Sequence, residues 1–97
     1  MPVFAVEYTY DHRADERTAV RPAHREFLRG LLAGGDLLAS GPLGTGEGAL
    51  LLLVADDEAA ALALLDADPF AAAGLVARRD ARAWAPVIGP WSALVEG

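Results

Sequence analysis

Residues Ala49 to Ala55 form an unbroken apolar run, Ala-Leu-Leu-Leu-Leu-Val-Ala, ending at Asp56-Asp57. A run of that length predicts a central strand covered on both faces. The remaining elements have to supply those covers. Val3 to Tyr10 is dense in β-branched and aromatic residues and reads as a first strand, with Phe4, Val6, Tyr8 and Tyr10 on one face. Asp11 to Arg17 is charged and is expected to be a loop. Pro22 suits the first turn of a helix, where its missing N–H would have had no partner. That helix is expected to run to about Ala33 and to stop at Gly34-Gly35. Leu37 to Leu43 predicts a short second strand, and Gly44 to Gly48 only a turn. Asp56-Asp57-Glu58 caps a second helix near Ala59 to Leu65. Asp68-Pro69 opens a short turn to Gly74. Leu75 to Val87 is expected to be the last strand, with Ala77, Ala81, Ala83 and Ala85 on one side and Arg78, Asp80, Arg82 and Trp84 on the other.

The order βαββαβ predicts a ferredoxin-like α+β fold, a four-stranded antiparallel sheet with two helices on one face. The 97 residues make a single domain, residues 1–97. Two helices leave the other sheet face bare, with half of the Leu50 to Val54 run on it. An apolar face of that size rarely stays wet. A homodimer packed through the sheet face is therefore expected, with a small-molecule cavity near the seam. The tail from Gly89, with Trp91, is expected to lie across the body or the partner.

Composition excludes several chemistries. The net charge is −6 and all eight cations are Arg, which makes nucleic acid and anionic membranes poor partners. The absence of Lys excludes Schiff-base catalysis by a lysine of this chain. The absence of Cys excludes disulfides, thiol nucleophiles and thiolate metal sites. No apolar run approaches the ~20 residues of a membrane span. The start, Met-Pro-Val-Phe-Ala-Val-Glu-Tyr, lacks the pattern of a signal peptide, so a cytoplasmic protein is expected.

One polar residue interrupts the apolar stripe of the first helix. The stripe reads Val20, His24, Phe27, Leu28, Leu31, the spacing of a core-facing helix. An imidazole there must find a partner, because burying it unpaired costs a few kcal/mol. Most histidines in such positions are satisfied core residues, but the ring is also the side chain best suited to proton exchange near neutrality.

Three segments, Arg21-Pro22-Ala23-His24, Ser40-Gly41-Pro42 and Asp66-Ala67-Asp68-Pro69-Phe70 followed by Ala73-Gly74-Leu75, give the chain its resemblance to the YciI-like (YCII-related) family. The resemblance runs from Val3 to about Gly89. It implies a ferredoxin-like fold of the dimeric α+β barrel kind and an active site built on a His–Asp pair, here His24 and Asp68. One branch of the family is similar to dehydrochlorinases of chlorinated hydroquinones, and fold relatives include muconolactone isomerases.

The pair makes physical sense. A carboxylate bonded to one imidazole nitrogen fixes the tautomer and raises the basicity of the other. Asp68 is equally well placed as an ordinary N-cap of the turn opened by Pro69. Ser40 and Gly41 lie at a strand end where a hydroxyl and backbone amides can hold a polarised oxygen, or they simply form a turn. Tyr8 and Trp84 are candidates to line the cavity, although aromatics on strands usually pack. Arg78 and Arg82 either bind an anionic substrate or pair with Asp80 and the partner; pairing is the expectation. His12 sits in a charged loop and is expected to be solvated, and no metal constellation is present.

The resulting expectation is a small homodimeric enzyme that needs no cofactor. His24 and Asp68 would be catalytic, with Ser40, Gly41 and Tyr8 binding substrate. The chemistry would be proton transfer, as isomerisation or elimination, on a small cyclic or phenolic compound. The alternative is a non-catalytic ligand-binding or assembly module of the same fold.

Overall fold

In the computed structural model, which describes residues 2–96, the apolar run is β3 (Gly48–Val54). It lies inside the sheet, hydrogen-bonded to β1 (Val3–Tyr10) on one side and to β2 (Leu37–Leu43) on the other. β4 (Val76–Trp84) completes the four-stranded order β2-β3-β1-β4, and every pairing is antiparallel. The helices are α1 (Ala14–Ala33), α2 (Glu58–Leu64), the single turn α3 (Pro69–Ala72) and α4 (Ala93–Glu96).

Register sets the faces. Val6 stands opposite Leu51 and Ala81, Phe4 opposite Leu53, and Tyr8 opposite Ala49 and Arg79. These residues turn toward the helices, where Leu28 of α1, Ala61 of α2 and Leu65 join the core. α1 lies over β2, while α2 lies over β1 and β4. The opposite face carries Ala5, Glu7, Leu50, Leu52, Asp80 and Arg82. Leu50 is 36% exposed and Trp84 40%, so these two apolar side chains stand partly uncovered on a face that also carries the charged Glu7, Asp80 and Arg82.

Two boundaries differ from the sequence-based expectation. The segment Asp11 to Arg17 is not all loop, because α1 begins at Ala14. Asp11 Oδ1 accepts the Arg13 N–H at 2.9 Å, and Thr18 Oγ1 donates to the Ala14 carbonyl at 3.1 Å. Asp15 and Glu16 add negative charge to the first turn, where the helix dipole favours it. Arg17 is buried, with Cζ 4.8 Å from the centre of the Tyr10 ring. These anchors extend the helix back past Pro22, which therefore lies inside it rather than in its first turn. Tertiary packing has overridden local propensity.

The second difference is at the end of β4. The strand stops at Trp84, short of Val87, because its partner β1 starts at Val3, opposite Trp84. A register shift between Thr9 and Tyr10 also takes Ala77 out of the alternation. Beyond the strand, the tail doubles back and packs Trp91 edge-on against Trp84, with ring centres 6.3 Å apart. Gly34-Gly35 ends α1 as expected. Gly35 takes φ +84°, Gly35 N–H bonds the Leu32 carbonyl, and Asp36 N–H bonds that of Leu31.

One glycine is fixed by packing. A Cβ on Gly48 would collide with the backbone carbonyl oxygen of Tyr8 on the neighbouring strand. Gly48→Ala is expected to lower the unfolding free energy by about 2 kcal/mol, since backbone yields less readily than a side chain. Urea denaturation with an unchanged midpoint would refute this.

Candidate active site

The site forms where α1, β1 and the start of α3 converge. Pro69 supplies a pre-set φ at the first position of α3, which places Asp68 at its N-cap. The Asp68 carboxylate is fully buried, 0% exposed, and is met by three donors. Oδ1 accepts the Phe70 N–H at 3.0 Å and lies 2.7 Å from Nδ1 of His24. Oδ2 accepts the Tyr8 hydroxyl at 2.8 Å. Capping the turn and holding the histidine are thus done by one carboxylate at once. The sequence presents them as alternatives; the structure does not.

These bonds assign the protons. The Asp68 oxygens already accept from the Tyr8 hydroxyl and the Phe70 N–H, and a carboxylate only accepts. Nδ1 of His24 therefore carries hydrogen, and in the neutral ring Nε2 holds the free lone pair. Phe70 fixes the plane of the imidazole by stacking on it, with centres 3.9 Å apart and planes 7° apart. Tyr10 buttresses Phe70 edge-on at 5.5 Å. Burial, followed by the adjacent charge of Asp68, pushes the Tyr8 phenol well above its ordinary value, so Tyr8 stays a proton donor at any physiological pH. Burial also raises Tyr10, again with help from Asp68.

His24 is 6% exposed, and that exposure is on a cavity of about 590 Å³ between α1 and β2. Among the described residues Arg17 Nε is the one buried side-chain polar atom without a partner. Among the described residues Nε2 of His24 makes no hydrogen bond and yet is not sealed in, and His24 lines that cavity. A fixed base facing a mostly apolar, ligand-sized space is suited to proton transfer.

The other candidate residues divide. Ser40 and Gly41 stand on the β2 wall of the same cavity. Ser40 is exposed and its hydroxyl has no partner among the described residues. A Cβ on Gly41 would meet open space, so packing does not require glycine there. Tyr8 is not on the cavity wall; it stands behind Asp68. Trp84 lies on the opposite sheet face against Trp91. Arg78 pairs with Asp80 at 2.9 Å and does not reach the cavity. His12 is exposed in the β1–α1 turn. Among the described residues no group of three His, Cys, Asp or Glu is arranged to hold a metal ion.

Several wall residues are absent from the sequence-based set. Arg21, Arg25 and Arg29 recur every fourth residue along α1 and all line the cavity, as do Tyr10 and Phe70. The arginine spacing was available in the sequence as a helical stripe beside His24. The stack of Phe70 on His24 was not, since it joins residues far apart in the chain.

Comparison with known proteins bears on this geometry. A family model described as the YCII-related domain matches residues 1–85. The chain belongs to the YCII-related family. A similar solved structure is 5-chloro-2-hydroxyhydroquinone dehydrochlorinase (TftG) from Burkholderia phenoliruptrix AC1100, in complex with 2,5-dihydroxybenzoquinone. It is 25% identical, the match covers 84% of this chain and 92% of that one, and the TM-score is 0.71. A protein from Agrobacterium tumefaciens shares the fold at 14% identity and a TM-score of 0.52, over 87% of this chain and 91% of that one. No curated protein is significantly similar in sequence. The fold is thus the ferredoxin-like α+β fold of the dimeric α+β barrels. No helix among the described residues is long and apolar enough to cross a membrane.

The Tyr8 bond has a measurable consequence. Tyr8→Phe removes the donor to Asp68 Oδ2 and is expected to cost about 1–3 kcal/mol at neutral pH. The raised phenol adds a pH signature. The folded state holds this proton more tightly than the unfolded one, so stability from Tyr8 is complete below its ordinary value of 10.0 and falls as pH rises above that value. Wild type should therefore lose stability on the alkaline side more steeply than Tyr8→Phe. Parallel denaturation profiles of the two proteins above pH 10 would contradict the assignment.

Proposed function

We propose that this chain is a small enzyme that moves protons on a cyclic or phenolic compound, with His24 as general base and acid and Asp68 as the carboxylate that orients it. The observation that supports it best is the buried 2.7 Å contact from His24 Nδ1 to Asp68, with the second ring nitrogen open to a cavity. In the forward direction Nε2 takes a proton from an acidic carbon or hydroxyl of the substrate. The imidazolium so formed is stabilised by the ionised Asp68. Returning the proton at another atom completes an isomerisation; departure of an anion from the adjacent carbon completes an elimination. The Ser40 hydroxyl and the Gly41 edge would contact the polar group of the substrate, while Tyr8 serves as a positioning residue through Asp68.

Similarity to a dehydrochlorinase of a chlorinated hydroxyhydroquinone favours elimination from a hydroxylated ring as the first chemistry to try. The partly exposed Leu50 and Trp84 on the face away from the helices favour a homodimer packed through that face.

The test is a screen of chlorinated and hydroxylated cyclic compounds, with chloride release and ring absorbance as readouts. His24→Gln is expected to lower kcat/KM by ~10²–10⁴, the usual contribution of a positioned base. Activity that survives His24→Gln unchanged would overturn the mechanism. Saturable binding without any product would point instead to a ligand-binding module. A second measurement needs no substrate. Nitrogen-15 spectra of the His24 ring should show hydrogen on Nδ1 in wild type, and this preference should be lost in Asp68→Asn. A ring carrying hydrogen on Nε2 in wild type would remove the proposed base.

A further inference from the structure

The charges around the cavity are all of one sign. Arg21, Arg25 and Arg29 line it, and among the described residues no Asp or Glu does, in a chain with net charge −6 and 14 acidic residues. Arg29 leans toward Glu26 at 3.7 Å, an exposed pairing on its own helix. Arg21 and Arg25 have no hydrogen bond or ion pair among the described residues. Elsewhere most arginines of the chain are matched: Arg13 to Asp11, Arg17 to the Asp11 carbonyl, Arg78 to Asp80 and Arg79 to Asp66. Like charges four residues apart on a helix also repel each other. An unmatched cationic ridge has therefore been placed on the wall of the cavity that holds the reactive nitrogen.

From this arrangement we infer that the substrate carries a carboxylate, which Arg21 and Arg25 bind beside the ring that faces His24. The inference rests on the proposed function and narrows its substrate class to small cyclic acids. Arg21 is one helical turn before His24, so both side chains rise from the same side of α1. Arg21 is half-buried and close enough to Tyr10 for its charge to favour the ionised phenol. Its guanidinium is thus at the inner end of the ridge, and the exposed Arg25 is at the outer end. A planar guanidinium receives a carboxylate through paired N–H donors, which fixes orientation as well as supplying charge. With the acid held at the ridge, the body of a small ring lies against Leu28 and Leu37, within reach of Nε2 of His24.

The experiment compares acids with their uncharged esters. Benzoate, 2,5-dihydroxybenzoate and cyclohexanecarboxylate, and the methyl ester of each, are titrated into the protein while the His24 ring signals are followed by NMR. His12→Gln removes the only other histidine signal. At least one acid is expected to bind wild type about tenfold more tightly than its ester, the scale of a charge-assisted hydrogen bond. That preference should shrink in the single variant Arg25→Gln and vanish in Arg21→Gln/Arg25→Gln. Glutamine keeps helix propensity at positions that are not fully buried, so fold is preserved. Three results would each overturn the inference: acid and ester binding alike in wild type, a preference that persists in the double variant, or no acid moving the His24 signals at millimolar concentration. Because binding alone is read, the proton-transfer mechanism is judged separately. A carboxylate preference without turnover of any acid would retain the arginine site and remove the catalytic role of His24.

Discussion

The buried carboxylate of Asp68 is the constraint on which both fold and site depend. A carboxyl group with no solvent exposure is tolerated only when its oxygens are met by donors. Here the donors come from three separate parts of the chain: Tyr8 on β1, His24 on α1 and the backbone of Phe70 in α3. Each hydrogen bond to a charged group contributes about 1.5–3 kcal/mol, and losing one leaves the remaining charge under-satisfied. The sheet, the long helix and the short turn are therefore fixed in place by the group that orients the imidazole. Preorganisation of the site follows from stability of the fold and needs no additional device.

The parts of the fold that were legible in the sequence are those written locally. The β-branched and aromatic pattern of Val3 to Tyr10, the apolar run of β3 and the Asp-Pro start of α3 each determine their element within a few residues. The start of α1 was hidden because it is set by contacts outside the helix, Arg17 on Tyr10 and Arg13 on the Gly74 carbonyl, while Pro22 sent a contrary local signal. His24 and Asp68 were visible as chemistry-bearing residues, but their contact spans 44 positions and only the family motif joined them. The position of Tyr8 behind Asp68 was hidden for the same reason. An aromatic on a strand looks like wall or packing, and nothing local reveals that its hydroxyl meets a carboxylate 60 residues away.

The two faces of the sheet carry different tasks. On the helical face, the β1 aromatics and the alternate leucines of β3 fill the core and lead to the site at its edge. On the other face, Leu50 and Trp84 remain partly exposed, with the Trp91 contact holding the tail against one corner. Strand β2 joins these regions. It is an edge strand whose Ser40 and Gly41 line the cavity, and Gly41 pairs with Leu50 of the open face. A second copy seated on that face would stand beside the rim of the cavity, so assembly and ligand access would meet at β2.

Net charge and local charge argue in opposite directions, and the local term governs the chemistry. An overall charge of −6 acts at long range, where salt screens it within ~10 Å. Arg21 and Arg25 act at contact distance on whatever occupies the cavity. Removing a proton from carbon or oxygen leaves negative charge on the substrate, and the most effective stabilisation comes from fixed cations and donors aimed at that charge. In the proposed mechanism the complementary positive charge would form on His24, beside the Asp68 carboxylate. In that proposal the substrate anion would be met by arginine and the imidazolium by the carboxylate. Such an arrangement would favour the charge-separated state over the neutral one, which is what proton transfer to a side-chain base requires.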